Sequence, residues 1–399
     1  MESQMNETLA EPRFKENVEE EVRRRYAEGA LAVQPALCCP TSYDSEALKL
    51  LPEEILNVDY GCGDPSKYCR EGETVLDLGS GSGKICYLAS HKVGAEGAVI
   101  GVDFNDTMLD LARKYQDEMA EKFGWNNVRF GKGKIQDLAL DLNLVQAWLS
   151  EHPVESVEDV AAYEAECDRI RSEQPLVSDS SVDLVVSNCV LNLVRPEDKL
   201  ELFDEIFRVL NRGGRAVISD IVCDEDPTES ILSDPELWSG CISGAFREDQ
   251  FLELFEKAGF YGVEILERQE EPWHVIEGIE FRSMTLQAFK GKEGPCMELN
   301  QAVVYKGPFR SIKDDDSHTY LRGQRVAVCE KTFNLLTNPN GPYHDHFIAI
   351  QPHEEIALEG AALFPCNGTP LRHPKVTKGQ NYNETRLTNV ECCEPGECC

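Results

Sequence analysis

The chain has 399 residues, of which 41% are hydrophobic and 28% charged, and its formal net charge is -33 at neutral pH. That length exceeds one ordinary domain, and so strong a negative field argues against nucleic acid and anionic membranes as partners. No apolar run approaches the ~20 residues of a membrane span, and the polar, acidic segment from Met1 to Glu20 reads as neither signal nor transit peptide; a cytoplasmic setting is expected, with the sixteen cysteines kept as thiols rather than tied into disulfides.

Residues 1–70 form an N-terminal arm. Within it residues 11–29 read as a helix, because Phe14, Val18, Val22 and Tyr26 fall on one face of a charged segment. A turn at Leu37-Cys38-Cys39-Pro40 follows. From Thr74 short apolar runs alternate with amphipathic stretches, the signature of a parallel βαβ sheet. Strands are expected near 74–78, 98–103, 127–131, 182–187, 215–220 and 262–267, and helices near 83–93, 105–122, 197–210 and 247–257. Residues 71–268 therefore form an α/β, Rossmann-like domain, interrupted at about 139–181 by an insertion that is helical in pattern and too long for an ordinary connection. Beyond residue 268 the pattern turns β-rich, and segments 281–289 and 301–305 are expected as strands of a smaller domain, 269–380. Residues 337–399, rich in Pro, Asn and Gly, read as loosely ordered, and 381–399 as a cysteine-rich tail.

The strongest local signal is Val75-Leu76-Asp77-Leu78-Gly79-Ser80-Gly81-Ser82-Gly83, an apolar strand ending in an acid and then in glycine at every second position. Gly79, Gly81 and Gly83 permit positive φ and close backbone approach, and the helix that follows points its N-terminus at a carboxylate. A second apolar strand ends at Asp103, placed to accept ribose hydroxyls. The spacing G-x-G-x-G with Asp77 ahead of it, rather than the dinucleotide pattern G-x-G-x-x-G, resembles class I S-adenosylmethionine methyltransferases. S-adenosyl-L-methionine is therefore the expected cofactor. In that frame Ile135 lies against the adenine face and Gln136 or Asp137 near its edge, although Ile135 also suits an ordinary core position.

Ligands of open α/β sheets sit beyond the carboxyl ends of the strands. The fourth strand ends there in Ser187-Asn188-Cys189-Val190-Leu191-Asn192-Leu193, and a second thiol follows the next strand in Trp238-Ser239-Gly240-Cys241-Ile242-Ser243-Gly244-Ala245. With Tyr60-Gly61-Cys62-Gly63 and the Cys38-Cys39 pair, these segments resemble the arsenite methyltransferases, in order as well as in type, over most of residues 30–290. The resemblance implies a class I methyltransferase core, Cys189 and Cys241 as As(III) ligands, Cys62 as a redox-active thiol beside the arsenic, and Cys38 or Cys39 as its disulfide partner. It also implies that Tyr60, Gly79, Asp103 and Ile135 line the cofactor, that arsenite and methylarsenite are substrates, and that thioredoxin or glutathione returns electrons.

Two rival readings keep the same motifs: a methyltransferase for another small molecule, whose thiols are incidental, and a thiol-rich metalloid-binding protein without catalysis. Cys69, Cys86, Cys167, Cys223, Cys296, Cys329 and Cys366 show no partner spacing and read as packing residues. The tail Cys392-Cys393-Glu394-Pro395-Gly396-Glu397-Cys398-Cys399 has two vicinal pairs about a Pro-Gly turn, suited to soft metals or metalloids, and lacks the histidines of a Cys2His2 zinc site.

Overall fold

The structure is a computed structural model, and it describes residues 18–31, 43, 45–58, 60–366, 368 and 370–378. Cys38, Cys39 and the cysteine-rich tail lie outside these. The chain divides into two compact units after Gly291.

The first unit is built on a nine-stranded sheet. Its strands are β1 (Thr74–Leu78), β2 (Ala98–Asp103), β3 (Val128–Lys132), β4 (Val182–Asn188), β5 (Leu210–Cys223), β6 (Phe246–Arg247), β7 (Tyr261–Arg268), β8 (His274–Ile276) and β9 (Ile279–Phe289). The main path runs β3-β2-β1-β4-β5-β9-β7, with β6 beside β5 and β8 beside β9. Pairs from β3 through β5 are parallel, so both faces need cover, and β1, β2, β4 and the second half of β5 are largely apolar. Val75, Leu76, Leu78, Val182, Leu184, Val185 and Val186 are fully buried. The chain order reverses at β1, which lies between β2 and β4, and a crevice opens beyond the carboxyl ends there.

Helices α1 (Val18–Leu31), α2 (Lys84–Val93), α3 (Asp106–Lys114), α4 (Gln116–Phe123), α5 (Leu142–Glu151), α6 (Val157–Glu173), α7 (Lys199–Val209), α8 (Pro235–Ser239) and α9 (Glu248–Lys257) complete the unit. The stretch expected as one helix over 105–122 breaks at Tyr115, whose φ of -100° and ψ of 3° close α3 and open α4. Asn105 starts α3 by accepting from the N–H groups of Thr107 and Met108. The insertion is a helical hairpin, α5 and α6, with its own small core of Leu140, Val145, Cys167 and Ile170. A capping box at Ser156 and Asp159 starts α6.

One boundary differs from the sequence expectation. Residues 281–289 belong to β9 of the central sheet, not to the C-terminal domain, because β9 pairs antiparallel with β5 from Arg215↔Phe289 to Cys223↔Phe281 and also with β7. Phe281, Met284, Leu286, Ala288 and Phe289 of this strand are buried. Local pattern announced a strand, but a pairing with a partner some 60 residues earlier leaves no local mark. A buried ion pair locks the start of β5 to the turn before β1: the Arg215 guanidinium meets both Glu73 carboxylate oxygens and the Tyr68 carbonyl.

The second unit is small and β-rich. It contains β10 (Met297–Glu298), β11 (Ala302–Tyr305), β12 (Ser311–Lys313), β13 (Thr319–Leu321), β14 (Arg325–Ala327), helix α10 (Glu330–Thr337), β15 (Phe347–Ile350) and β16 (Ala362–Leu363). β14-β11-β15 form an antiparallel sheet over a core of Val303, Tyr305, Tyr320, Phe333, Leu336 and Phe347. Ordered elements thus continue well past residue 337, where loose order was expected. No helix among the described residues is long and apolar enough to cross a membrane.

Candidate functional site

The crevice beyond β1 and β4 is a cleft that opens to solvent. Tyr60, Asp77, Gly79, Gly81, Asp103, Ile135 and Gln136 all line it, as does Cys189. Gly83 does not: its φ of 85° opens α2, and a Cβ there would stand 2.9 Å from the Phe130 ring. Gly79 has a φ of 67°, and a Cβ on it would come within 2.4 Å of Val190. The loop and the Cys189 turn are therefore packed backbone to side chain, at a separation only glycine allows.

Two buried carboxylates face the cleft. Asp103 accepts the Gly81 N–H at 2.9 Å and the Asn105 N–H at 2.8 Å, yet burial still lifts its carboxyl above the usual range. Asp77 is pushed up to about 7 by burial, with the Asp103 charge adding to this and a hydrogen bond from the Cys86 thiol opposing it. The Ser80 hydroxyl beside them is buried without a hydrogen-bond partner among the described residues.

Helix α1 closes one side of the cleft. Val22 and Tyr26 line it from that helix, the Asn105 amide donates to the Arg23 carbonyl at 3.0 Å, and the Tyr60 hydroxyl donates to the Gly29 carbonyl at 2.8 Å. Glu19 pairs with Lys134 at 2.7 Å across the opening.

Beyond Cys189 lies a compartment of sulfur and apolar side chains. Cys62, Cys189 and Cys241 are buried there with Ile221, Cys223, Ile242 and Phe281. The Sγ atoms of Cys62 and Cys189 and a carboxylate oxygen of Asp220 lie within 4.8 Å of one another. The Cys241 thiol donates to the Cys189 carbonyl oxygen at 3.2 Å. Burial drives the Cys189 thiol well above its ordinary pKa, and the Cys241 thiol is driven up by its contact with Cys189 and then by burial. Both shifts favour the neutral thiol.

Cys189 and Cys241 share a further property: φ is 65° at one and 62° at the other. Left-handed backbone costs an L-residue roughly 1–2 kcal/mol, and such strain persists where the surroundings impose it, often at functional sites. The surroundings here are explicit. Asp220 at the end of the inward part of β5 accepts the N–H groups of Leu191 and Asn192, at 2.9 and 3.3 Å. The Asn192 amide then donates to the carbonyls of Ile221 and Cys241, at 2.7 and 3.2 Å. Gly244 completes the seam, since a Cβ there would fall 2.0 Å from the Asn192 carbonyl oxygen. On the other side the Asn188 Oδ1 accepts the N–H groups of Cys62 and Gly63, at 2.8 and 2.9 Å.

Sequence reasoning did not single out Tyr26, Asn188 or Asp220 for the site. Tyr26 was placed only on a helix face; it is partly buried, its hydroxyl lies 3.9 Å from the Cys241 sulfur, and desolvation and the two thiols raise its pKa. Asp220 ends an apolar strand run as Asp77 and Asp103 do, and that shared pattern was a usable signal. Burial pushes its carboxyl up to about 6, against three backbone donors and the Lys199 charge.

A family model described as a methyltransferase domain matches residues 70–259, and one described as a domain of unknown function matches residues 292–382. Over 334 residues the chain is 31% identical to the arsenite methyltransferase of Aquipseudomonas alcaligenes, covering 79% of this chain and 86% of that protein. Over 306 residues it is 31% identical to the arsenite methyltransferase of Homo sapiens, covering 73% of this chain and 72% of the other. The crystal structure of an arsenic(III) S-adenosylmethionine methyltransferase from Chlamydomonas reinhardtii is similar over 82% of this chain and 99% of that one, with 29% identity and a TM-score of 0.52.

Proposed function

The chain belongs to the arsenite methyltransferase family, and from that membership we propose how its residues divide the work: Cys62, Cys189 and Cys241 hold As(III), and the cleft beside them takes the methyl donor. The activity is S-adenosylmethionine-dependent methylation of As(III).

The cleft residues fit the donor. Buried Asp77 and Asp103 carboxylates suit a cationic amino group and ribose hydroxyls, and the unpartnered Ser80 hydroxyl supplies one more polar contact. When bound, S-adenosylmethionine supplies an electrophilic sulfonium methyl.

The thiols act by exchange. Arsenous acid and three thiols give a trithiolate and three waters: three S–H and three As–O bonds break, and three As–S and three O–H bonds form. No general base is required, because the leaving hydroxides carry the thiol protons away as water. Soft sulfur donors suit the soft trivalent centre, and a pyramidal set leaves the arsenic lone pair free to face the cleft that Cys189 lines. Catalysis then comes from placement, and aligned reactants about 3–3.5 Å apart gain a large effective molarity. The strained backbone at residues 189 and 241 fixes that placement, and it is the observation that carries the assignment.

Each transfer raises arsenic formally to the pentavalent state, so two electrons must return before another. Closure of Cys62 with Cys38 or Cys39 to a disulfide provides them, with two protons released, and thioredoxin or glutathione reopens the pair. Mono- and dimethylated arsenic are the products of successive rounds, in a cytoplasmic setting where thiols stay reduced.

The test is to incubate reduced protein with labelled cofactor, arsenite and either reductant, and to separate the arsenic species. Methylated arsenic that disappears with Cys189→Ser or Cys241→Ser supports the assignment. Undiminished turnover in those variants makes the thiols incidental, and tight arsenite binding without methyl consumption makes the protein a metalloid binder.

A further inference from the structure

Three cysteines that had no partner spacing in the sequence come together inside the C-terminal unit. The Sγ atoms of Cys296, Cys329 and Cys366 lie within 4.8 Å of one another. Three separate pieces of chain deliver them. Cys296 directly precedes β10 and Cys366 follows β16, and these strands pair antiparallel through Met297↔Leu363 and Glu298↔Ala362. The Phe364 N–H donates to the Cys296 carbonyl at 2.8 Å, which extends the pairing toward both thiols. Cys329 is the N-cap of α10, where its sulfur accepts the Thr332 N–H at 3.4 Å and lies 3.2 Å from the Thr332 hydroxyl.

Cys329 sits at the positive end of a helix. The Lys331 charge acts on Cys296, and burial pushes the Cys366 thiol up to about 12. Among the described residues the cluster contains no histidine and no carboxylate. Access is graded: Cys329 is buried, Cys296 half-buried and Cys366 exposed, so the group opens to solvent, whereas Cys62, Cys189 and Cys241 are all buried.

We propose that Cys296, Cys329 and Cys366 form a second, solvent-accessible site for trivalent arsenic, separate from the catalytic thiols. It rests on the arsenic chemistry assigned to this chain. Structural zinc takes four ligands in a tetrahedron, and the cluster supplies three, all sulfur; a trivalent arsenical needs no fourth, because its lone pair occupies that position. Loading is the same balanced exchange, arsenous acid and three thiols giving the trithiolate and three waters. Arsenic stays trivalent, and no reductant is consumed.

The experiment uses the full reduced chain under anaerobic conditions, with arsenite as probe. Equilibrium dialysis with elemental analysis gives arsenic bound per chain, and X-ray absorption gives its ligands. Cys366→Ser is the variant of choice, because the side chain is exposed and its loss leaves the core alone; the triple variant C296S/C329S/C366S is the second. Expected are loss of one equivalent of tightly bound arsenic in the triple variant and replacement of one As–S bond in Cys366→Ser. Methylation at saturating arsenite stays unchanged in both. A chain altered at Cys62, Cys189 and Cys241 instead loses methylation and keeps the equivalent that depends on the Cys296 cluster. Equal arsenic content in parent and triple variant overturns the proposal. So does zinc that copurifies with the parent and is missing from the triple variant, or a Cys296–Cys366 disulfide that persists in the reduced chain. Failure of the parent to methylate arsenic refutes the catalytic assignment and leaves the binding measurement readable by itself.

Discussion

Left-handed backbone at Cys241 separates the sulfur's chemical role from its cost to the fold. Two substitutions remove the thiol: Cys241→Ala keeps the Cβ and the strain, and Cys241→Gly relieves both. At an ordinary buried position glycine is less stable than alanine by about 0.5–1 kcal/mol from backbone entropy, and by about 0.8 kcal/mol more for one buried carbon. The expected penalty there is roughly 1.3–1.8 kcal/mol. With φ at 62°, glycine recovers roughly 1–2 kcal/mol of left-handed strain, so the two Cys241 variants should be equally stable to within about 0.8 kcal/mol. Cys223 is the internal control: it is fully buried, belongs to the same cluster and lies in the extended strand β5. There Gly should fall below Ala by the full amount. Urea unfolding of the four variants reads the difference, and arsenite methylation should drop about 100-fold or more in both Cys241 variants through misplaced arsenic. Equal Ala-to-Gly penalties at the two positions refute the strain argument, and retained turnover in Cys241→Gly refutes the ligand assignment.

Asn188→Ala removes the acceptor of the Cys62 and Gly63 N–H groups, and should cost about 1–3 kcal/mol from unpaired buried donors with a parallel loss of methylation, read by denaturation and product analysis. The Arg215–Glu73 pair is buried, so Arg215→Ala leaves a carboxylate uncompensated and should destabilise the first unit by about 3–5 kcal/mol, seen as an earlier unfolding midpoint. Cofactor binding should depend on pH through Asp77, whose carboxyl is held up to about 7. Below that pH it is protonated in the free protein, and a cationic amino group in the cleft favours the carboxylate. Binding therefore releases a proton, and affinity rises with pH, at most about tenfold per unit, until it levels above 7. Calorimetry in buffers of different ionisation enthalpy measures the proton, and Asp77→Asn should abolish the dependence.

The alternation of apolar strands and amphipathic helices made the Rossmann-like core legible, since burial on both faces forces near-continuous apolar runs at β1, β2, β4 and β5. Asp77, Asp103, Gly79 and Gly81 were legible too, because a strand end followed by glycines is a local pattern. Contacts made across the fold were not. β9 was legible as a strand, but its place beside β5 depends on pairing with Arg215 to Cys223, which no local pattern encodes. Cys296, Cys329 and Cys366 are spread over three elements, and only the β10–β16 pairing and the α10 cap unite them. Cys38 and Cys39 lie outside the described residues, so the partner of Cys62 stays as the sequence left it.

Neutral thiols at the catalytic site bear on which ligand the compartment is built for. A divalent cation must displace protons from each thiol it takes, and a raised pKa makes that exchange harder at every ligand. Arsenous acid brings its own hydroxide leaving groups, so protonation of Cys189 and Cys241 imposes no such penalty and the exchange is neutral in charge. The apolar packing that raises these pKa values, by Ile221, Ile242 and Phe281, therefore selects by proton balance: it weakens binding of zinc-like ions while leaving a neutral trivalent hydroxide able to load. The Cys296 cluster is less enclosed, with Cys366 exposed, and its thiols shift unequally: burial opposes ionisation of Cys296 but neighbouring thiols and Lys331 hold it below its ordinary pKa, whereas burial pushes Cys366 up to about 12. Two clusters rich in sulfur then differ in enclosure, and with it in how pH affects their loading by divalent competitors.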